Sequence, residues 1–180
     1  MASGFVKGPE RVVYDGYVIK VAVGEFTAPN GEVVERDVIH HPGAVSVVPI
    51  DGDEVVLVRQ YRAALGHDLL EIPAGKRDVD DEPLELCAAR ELGEEIGMEA
   101  ASMVKVASFY NSAGFCDELS HVFIATELSP VPAAAHGLEE EYMSIERHRL
   151  DDVPAMIASG ELCDAKTIIG LLLALRQLGR

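Results

Sequence analysis

Glu91, Glu94 and Glu95 fall within five positions of the stretch "AARELGEEIGM", residues 88–98. On a helix, spacings of three and four residues gather them on one side. Like charges at that spacing repel by roughly 0.2–0.5 kcal/mol per pair in an isolated helix. A divalent cation would reverse that balance. Three carboxylates within about one turn suit Mg²⁺ or Mn²⁺, hard ions that take oxygen ligands and share their shell with water and phosphate. Such an ion neutralises phosphate charge and lowers the pKa of a bound water. The competing reading is a solvated acidic helix surface.

The helix needed to present them is legible on both sides. Pro83 suits a first helical position, Asp81 or Glu82 can cap it, and Gly97 suits the C-terminal stop. At about 100° per residue, Leu86, Ala89, Leu92 and Ile96 fall on one side and Glu91 and Glu95 on the other, with Glu94 at the edge. The expectation is a buried apolar face and an exposed carboxylate face.

The stretch from Gly75 to Met98, "GKRDVDDEPLELCAARELGEEIGM", resembles the Nudix box: G, five residues, E, seven residues, then R-E-U-x-E-E-x-G-U, with U a bulky aliphatic. Arg90, Glu91, Leu92, Glu94, Glu95, Gly97 and Met98 match its second half in register, and Glu82 stands eight before Arg90. Gly75 departs from the pattern. It lies one residue early, with Lys76 in the glycine's place, and the extra residue falls in the loop before the helix. The resemblance implies that Glu91 and Glu95 are principal metal ligands, that Glu94 serves a second ion, and that the carbonyl of Ala74 is a further ligand. Arg90 would pair with Glu82 or Glu94 and orient it. Two or more Mg²⁺ or Mn²⁺ ions are implied with substrate bound.

Three further segments, "VVLVRQYR", "LLEIPAGK" and "SAGFCDELSHVFIA", are similar to the ADP-ribose pyrophosphatase branch, and the likeness runs over roughly residues 17–178. Ala113 stands where that branch usually has proline. The implied reaction is hydrolysis of ADP-ribose to AMP and ribose 5-phosphate; the alternatives are another nucleotide sugar or a dinucleotide, and, further off, a non-catalytic nucleotide-sensing domain. An isopentenyl diphosphate isomerase is disfavoured, because neither Cys87 nor Cys116 lies in a segment like that enzyme's. The water's proton would pass to a carboxylate. Glu94 is one candidate; the branch often uses a later loop instead, which makes Glu139, Glu140 and Glu141 of "GLEEEY" candidates, with Glu139 and Glu141 preferred.

Arg59 and Arg62 are cations that could hold phosphate or ribose, although strand alternation turns one of them outward and surface ion pairs compete with that role. Glu118 lies in a loop that contacts substrate in relatives. Glu71 could orient Arg90 or another cation. Phe115 and Tyr110 could meet a base or ribose, with core packing the stronger alternative. His40 and His41 are adjacent, so on a strand they face opposite ways and share no metal site.

Composition limits the partners. The 180 residues suit one domain with a small appended piece, and the net charge of −16 disfavours nucleic acid and anionic membranes. Three widely spaced cysteines, Cys87, Cys116 and Cys163, point to free thiols in a reducing cytoplasm. "MASGFVKGPE" has no apolar h-region, so no secretory leader is expected. "TIIGLLLALRQLG" is too short for a bilayer and reads as a buried helix.

The remaining elements follow from turns and periodicity. "RVVYDGYVIKVAVGEFT" and "EVVERDVIHH", joined by "APNG", read as a hairpin; "AVSVVPI" and "EVVLVRQYR", joined by "DGD", read as a second. "LLEIPAG", "ASMVKVASFY", "HVFIATEL" and part of "LEEEYMSIERHRL" read as strands, while "DDVPAMIASG" and "CDAKTIIGLLLALRQLG" read as closing helices. The fold expected is α/β (α+β): a Nudix fold with a mixed sheet sandwiched between helices and an N-terminal antiparallel hairpin. The divisions expected are residues 1–42, a strand region that the resemblance implies is associated with a homodimer, and residues 43–180, the hydrolase domain.

Overall fold

The structure is a computed structural model and describes residues 3–132 and 141–180. These residues form two compact units, one built from residues 3–43 and 109–119, the other from residues 44–108, 120–132 and 141–180.

The first unit is a three-stranded antiparallel sheet, β1 (Val6–Asp15), β2 (Lys20–Thr27) and β3 (Val33–His40), in that order. The stretch read as one strand over 11–27 breaks at Gly16, whose N–H donates to the Ile19 carbonyl at 2.9 Å. The β2–β3 turn is the expected one: the Gly31 N–H reaches the Ala28 carbonyl at 2.9 Å, and the Glu32 N–H reaches Asn30 Oδ1 at 3.0 Å. Residues 109–119 belong to this unit rather than to the one carrying the carboxylate helix.

The second unit is built on a mixed sheet. Its path is β10 (Ser144–Arg149), β5 (Glu54–Arg62), β4 (Ala44–Asp51), β9 (Leu119–Pro130) and β8 (Met98–Tyr110), with β6 (His67–Glu71) on β5 and β7 (Ala74–Lys76) on β4. The expected β4–β5 hairpin is present, with Asp51 opposite Glu54. β4 pairs in parallel with β9, from Ala44 opposite Ser120 to Pro49 opposite Ala125. Strands covered on both faces read as continuous apolar runs, as "AVSVVPI" does.

Three helices complete the described part of this unit: α1 (Leu84–Ile96), α2 (Val153–Ser159) and α3 (Ala165–Gln177). Val45, Val47, Val56, Val58, Phe123 and Ala125 pack with Cys87, Ala88, Leu92 and Ile96 of α1. Burial of each large side chain here contributes on the order of 1.5–3 kcal/mol. α3 approaches the sheet so closely that Gly170 has no room for a side chain; a Cβ there would lie 2.8 Å from Val48 and 3.1 Å from Val122.

α1 differs from its expected form in two respects. Pro83 is the N-cap rather than the first helical residue, and no side chain caps the helix. Asp81 has φ 59° and is turned away from that role. The buried face is also rotated. Leu86 is 61% exposed and Ala89 is exposed, whereas Cys87, Ala88, Glu91, Leu92, Glu95 and Ile96 are buried. The carboxylates that apolar patterning turned to solvent thus lie on the face against the sheet. Gly97 ends the helix as expected, with φ 63° and its N–H on the Gly93 carbonyl.

Candidate active site

The carboxylates of α1 lie under the bend between β6 and β7, the sequence "EIPAGK". Three bonds fix that bend. The Ile72 N–H donates to Thr167 Oγ1 at 2.9 Å, the Pro73 carbonyl accepts from the Val47 N–H at 2.9 Å, and the Ala74 N–H donates to Glu95 Oε2 at 3.0 Å. Glu95 is thereby tied to the backbone of the residue whose carbonyl was expected to join it as a ligand.

Gly75 is next. A Cβ on it would fall inside the Glu91 carboxylate. The absent side chain is what lets Glu91, 8% exposed, lie against β7. The glycine that stands one residue early is therefore the residue that leaves room for the carboxylate.

Arg90 organises the other acids. Its Nε and Nη2 donate to the two oxygens of Glu82, each at 3.2 Å, and its Nη1 lies 2.9 Å from Glu94 Oε2 and 2.7 Å from Glu91 Oε1. The sequence left open whether Arg90 holds Glu82 or Glu94; it holds both. The Arg90 guanidinium keeps the Glu82 carboxyl below the usual range, and these acids raise the pKa of Arg90 in turn. Burial is the largest influence on Glu91 and, with the charge of Glu94, outweighs Arg90, so its carboxyl is pushed up to about 7. Burial likewise pushes the Cys87 thiol up to about 12, with Glu82 adding to it, so this cysteine is an inert packing residue.

Whether this donor set suits a hard divalent ion follows from its chemistry. Glu91 and Glu95 are buried oxygen donors one helical turn apart, Glu94 lies beside them, and Gly75 provides a cradle that any Cβ would fill. Among the described residues no three acidic, histidine or cysteine side chains converge as a ready cage. That agrees with Arg90 drawing Glu82, Glu91 and Glu94 to itself. The donors fit a hard divalent cation whose shell the protein fills only in part, with substrate and water supplying the rest.

The other expected residues are placed as follows. Arg59 pairs with Glu146 at 2.6 Å, which raises its pKa, and Arg62 pairs with Glu71 at 2.6 Å. Glu71 is 2% exposed and also holds Lys166 Nζ at 2.6 Å; it is not on Arg90. Phe115 and Tyr110 are 55% and 58% exposed, so the core-packing reading of both fails. Phe115, Tyr110, Ala113 and Cys116 instead line an apolar cleft of about 550 Å³ within the first unit, with Phe5, Phe26 and Val38. Glu118 belongs to that unit as well. Glu141 is exposed, while Glu139 and Glu140 lie outside the described residues. His40 bridges Asp117 at 2.6 Å and Glu10 at 3.0 Å, while the His41 ring accepts from the Gly43 N–H at 3.1 Å.

Sequence reasoning missed Lys166 and Asp164. Asp164 caps α3 through the Thr167 N–H at 2.9 Å and lies 3.0 Å from Lys166 Nζ. Burial raises the Asp164 pKa, but Lys166 and the Thr167 bonds outweigh that and hold it low. The available signal was "CDAKT", an Asp three residues before a Thr at the start of an apolar helix.

Comparison with known proteins identifies the family. The NUDIX domain family matches residues 40–168. An ADP-ribose pyrophosphatase of Bacillus subtilis is 39% identical over 156 residues, 86% of this chain and 84% of that protein. A methanol dehydrogenase activator of Bacillus methanolicus is 37% identical over 160 residues, 88% of this chain and 86% of the other. The crystal structure of an ADP compounds hydrolase superposes with a TM-score of 0.84, covering 98% of this chain and 96% of that one at 21% identity, a likeness of fold. With its carboxylate helix in register and more than half its length matched, the chain belongs to the Nudix family of hydrolases.

Proposed function

We propose that this enzyme hydrolyses the diphosphate bond of nucleoside diphosphate derivatives, with ADP-ribose, yielding AMP and ribose 5-phosphate, as the leading substrate. The observation that carries the proposal is the seating of Glu91 and Glu95 against the Ala74–Gly75 bend, where buried oxygen donors are held against a fixed backbone. The name of the Bacillus subtilis relative supports the choice of substrate.

Glu91, Glu95 and the Ala74 carbonyl would hold divalent metal, and Glu94 a second ion. Mg²⁺ or Mn²⁺, bound there, supplies charge neutralisation of the diphosphate and an acidified water. Arg90 fixes Glu82 and Glu94, so that the carboxylates keep their orientation as the charge of the site changes. A proton from the attacking water passes to a carboxylate. Glu94 is within the cluster; Glu139 and Glu141 are the alternatives from the later loop. Arg59 and Arg62 are proposed to exchange their carboxylate partners for substrate oxygens, and Phe115 and Glu118 to meet the rest of the substrate.

We also propose a cytoplasmic homodimer. Phe5, Val6, Val12, Val13, Tyr14 and Tyr17 are all exposed on the N-terminal strands and their turn, an apolar surface that a second copy would cover. All three cysteines are free. Among the described residues no helix is long and apolar enough to cross a membrane. A monomeric mass in solution would refute the dimer.

The activity is tested with a panel of ADP-ribose, GDP-mannose, other nucleotide sugars and dinucleotides, assayed with Mg²⁺ and Mn²⁺ in ¹⁸O-water. ADP-ribose is expected to turn over fastest, with label in one product marking the attacked phosphorus. Failure of every diphosphate-linked nucleotide rejects the hydrolase reading.

A further inference from the structure

One group of cations in the second unit has no role in the account above. In a chain of net charge −16, nearly every buried or half-buried cation finds a carboxylate. Half-buried Arg77 does not, and neither does the exposed Lys105 of β8: neither makes an ion pair among the described residues. Arg77 Nε is buried with no hydrogen-bond partner, a costly state for a charged donor that a ligand would relieve. Both cations bear on one side chain, His121, which is only 7% exposed. Burial, then Lys105, then Arg77 lower its pKa, so that it is neutral at physiological pH. Its Nδ1 lies 2.8 Å from Ser108 Oγ.

Strand register places this group beside the carboxylates. Val45 is opposite Gly75 on one side and His121 on the other, so the three share one face of the sheet. That is the face over which Glu91 lies on Gly75. His121 is therefore about two strand spacings, roughly 10 Å, from Gly75. Arg77 follows directly after β7, two residues beyond Gly75, so strand alternation directs it to the same face, and its charge is felt by both Glu82 and His121.

We propose that Arg77, Lys105 and His121 form a phosphate-binding arm of the site, which seats the phosphoryl group lying away from the Glu91–Glu95 face; this rests on the diphosphatase reading above. In the tautomer that suits this role the Ser108 hydroxyl donates to Nδ1 of His121, and the ring proton on Nε2 is a donor to a phosphate oxygen. Arg77 supplies Nε and its guanidinium fork, and Lys105 a point charge from β8. The division of labour is electrostatic. Acids gather cations at one end of the diphosphate, and fixed cations take its other end directly, which sets the direction in which the linkage lies across the sheet.

The probe is inorganic phosphate, titrated into the full chain in EDTA while the His121 ring resonances are followed by NMR. Phosphate is expected to shift those resonances. Arg77→Gln and Lys105→Gln are expected to weaken binding about tenfold each, and Arg77→Lys to keep most of it. Thermal midpoints should match the wild type, since neither side chain holds a structural partner. In the Mg²⁺ assay the same glutamine variants should raise KM about tenfold while kcat changes less than about threefold. Unshifted His121 resonances, or glutamine variants that bind phosphate as the wild type does, overturn the arm. Loss of the arm in an enzyme that still cleaves diphosphates leaves the catalytic reading standing; phosphate binding without hydrolysis of any diphosphate rejects that reading and keeps the anion site.

Discussion

Gly75 and Glu91 occupy one another's space: the carboxylate fills the position where any other residue at 75 would carry its Cβ. The contact joins the sheet to the carboxylate helix at the point where the chemistry is proposed to occur. It gives a direct prediction. Gly75→Ala should fold, with a stability cost of about 1–3 kcal/mol for overpacking. Glu91 must move, and a displacement of about 1 Å costs roughly 10²-fold in turnover. Circular dichroism melts and kcat with Mg²⁺ measure the two effects separately. Activity near wild type would show that the position of Glu91 is not demanding.

Glu95→Gln separates metal binding from structure at a second position. An amide oxygen can still accept from the Ala74 N–H, so the bend should stay closed and the melting temperature close to wild type. In the proposed ligand set the lost charge weakens metal binding, and turnover should fall by about 10²–10³-fold. Mn²⁺ titration by calorimetry should show the matching loss of affinity. A variant with near-normal turnover would remove Glu95 from the ligand set.

Glu71 tests a purely structural role. It is nearly fully buried between Arg62 and Lys166. Arg62 can turn to solvent, but Lys166, 13% exposed, cannot, although Asp164 still offsets part of its charge. Glu71→Gln should destabilise by about 3 kcal/mol, the lower end for breaking a buried pair. Urea unfolding of the single variant and of the double variant with Lys166→Met measures it; the double variant should recover part of the loss. Equal destabilisation of both would show that the charge of Lys166 is already satisfied without Glu71.

His40 makes the first unit sensitive to pH. Asp117 and then Glu10 raise its pKa above the ordinary value of about 6.5. Its contribution is thus complete below about pH 6.5 and is lost as pH rises through the folded value. Asp117 and Glu10 are held low: Lys7 first, and after it His40, lower Glu10 against the cost of burial, while burial at Asp117 is outweighed by the His40 ring and the His41 N–H. Their contribution is present above about pH 4 and is lost as pH falls through their folded values. Hydrogen exchange at Ile39 and Asp117, whose N–H groups bond Phe115 and Ile39, should therefore be slowest at mildly acidic pH, after correction for intrinsic rates. His40→Asn should remove the alkaline limb. A flat profile in the wild type would refute the linkage.

What the sequence disclosed depended on the range of the physics involved. The box from Arg90 to Gly97 is local, and its spacing was enough to gather the acids and end the helix. The hairpins at "APNG" and "DGD" were legible for the same reason. The face of α1 was misjudged because carboxylates were treated as outward. Glu91 and Glu95 are tolerated inside by Arg90, the Ala74 N–H and the space at Gly75, none of which follows from periodicity. Lys166 on Glu71 joins residues 95 positions apart, and no pattern in either stretch announces it. Phe115 and Tyr110 were assigned to packing by residue type, whereas the loop that carries Phe115 stands with the N-terminal strands.

The parallel pairing of β4 with β9 has a consequence for how the enzyme comes into being. β4 leaves the ribosome long before β9; α1 and the β6–β7 bend lie between them in the chain, while Thr167 of α3, which helps fix that bend, follows both. α1 can coil early, but the sheet face that receives it is complete only when Ala44 meets Ser120. Closing so long a stretch is entropically slow, and meanwhile one edge of the apolar "AVSVVPI" strand is unpaired. The nascent chain must keep that edge from other chains until the second half of the domain is made, so catalytic competence and protection from aggregation arrive in the same folding step.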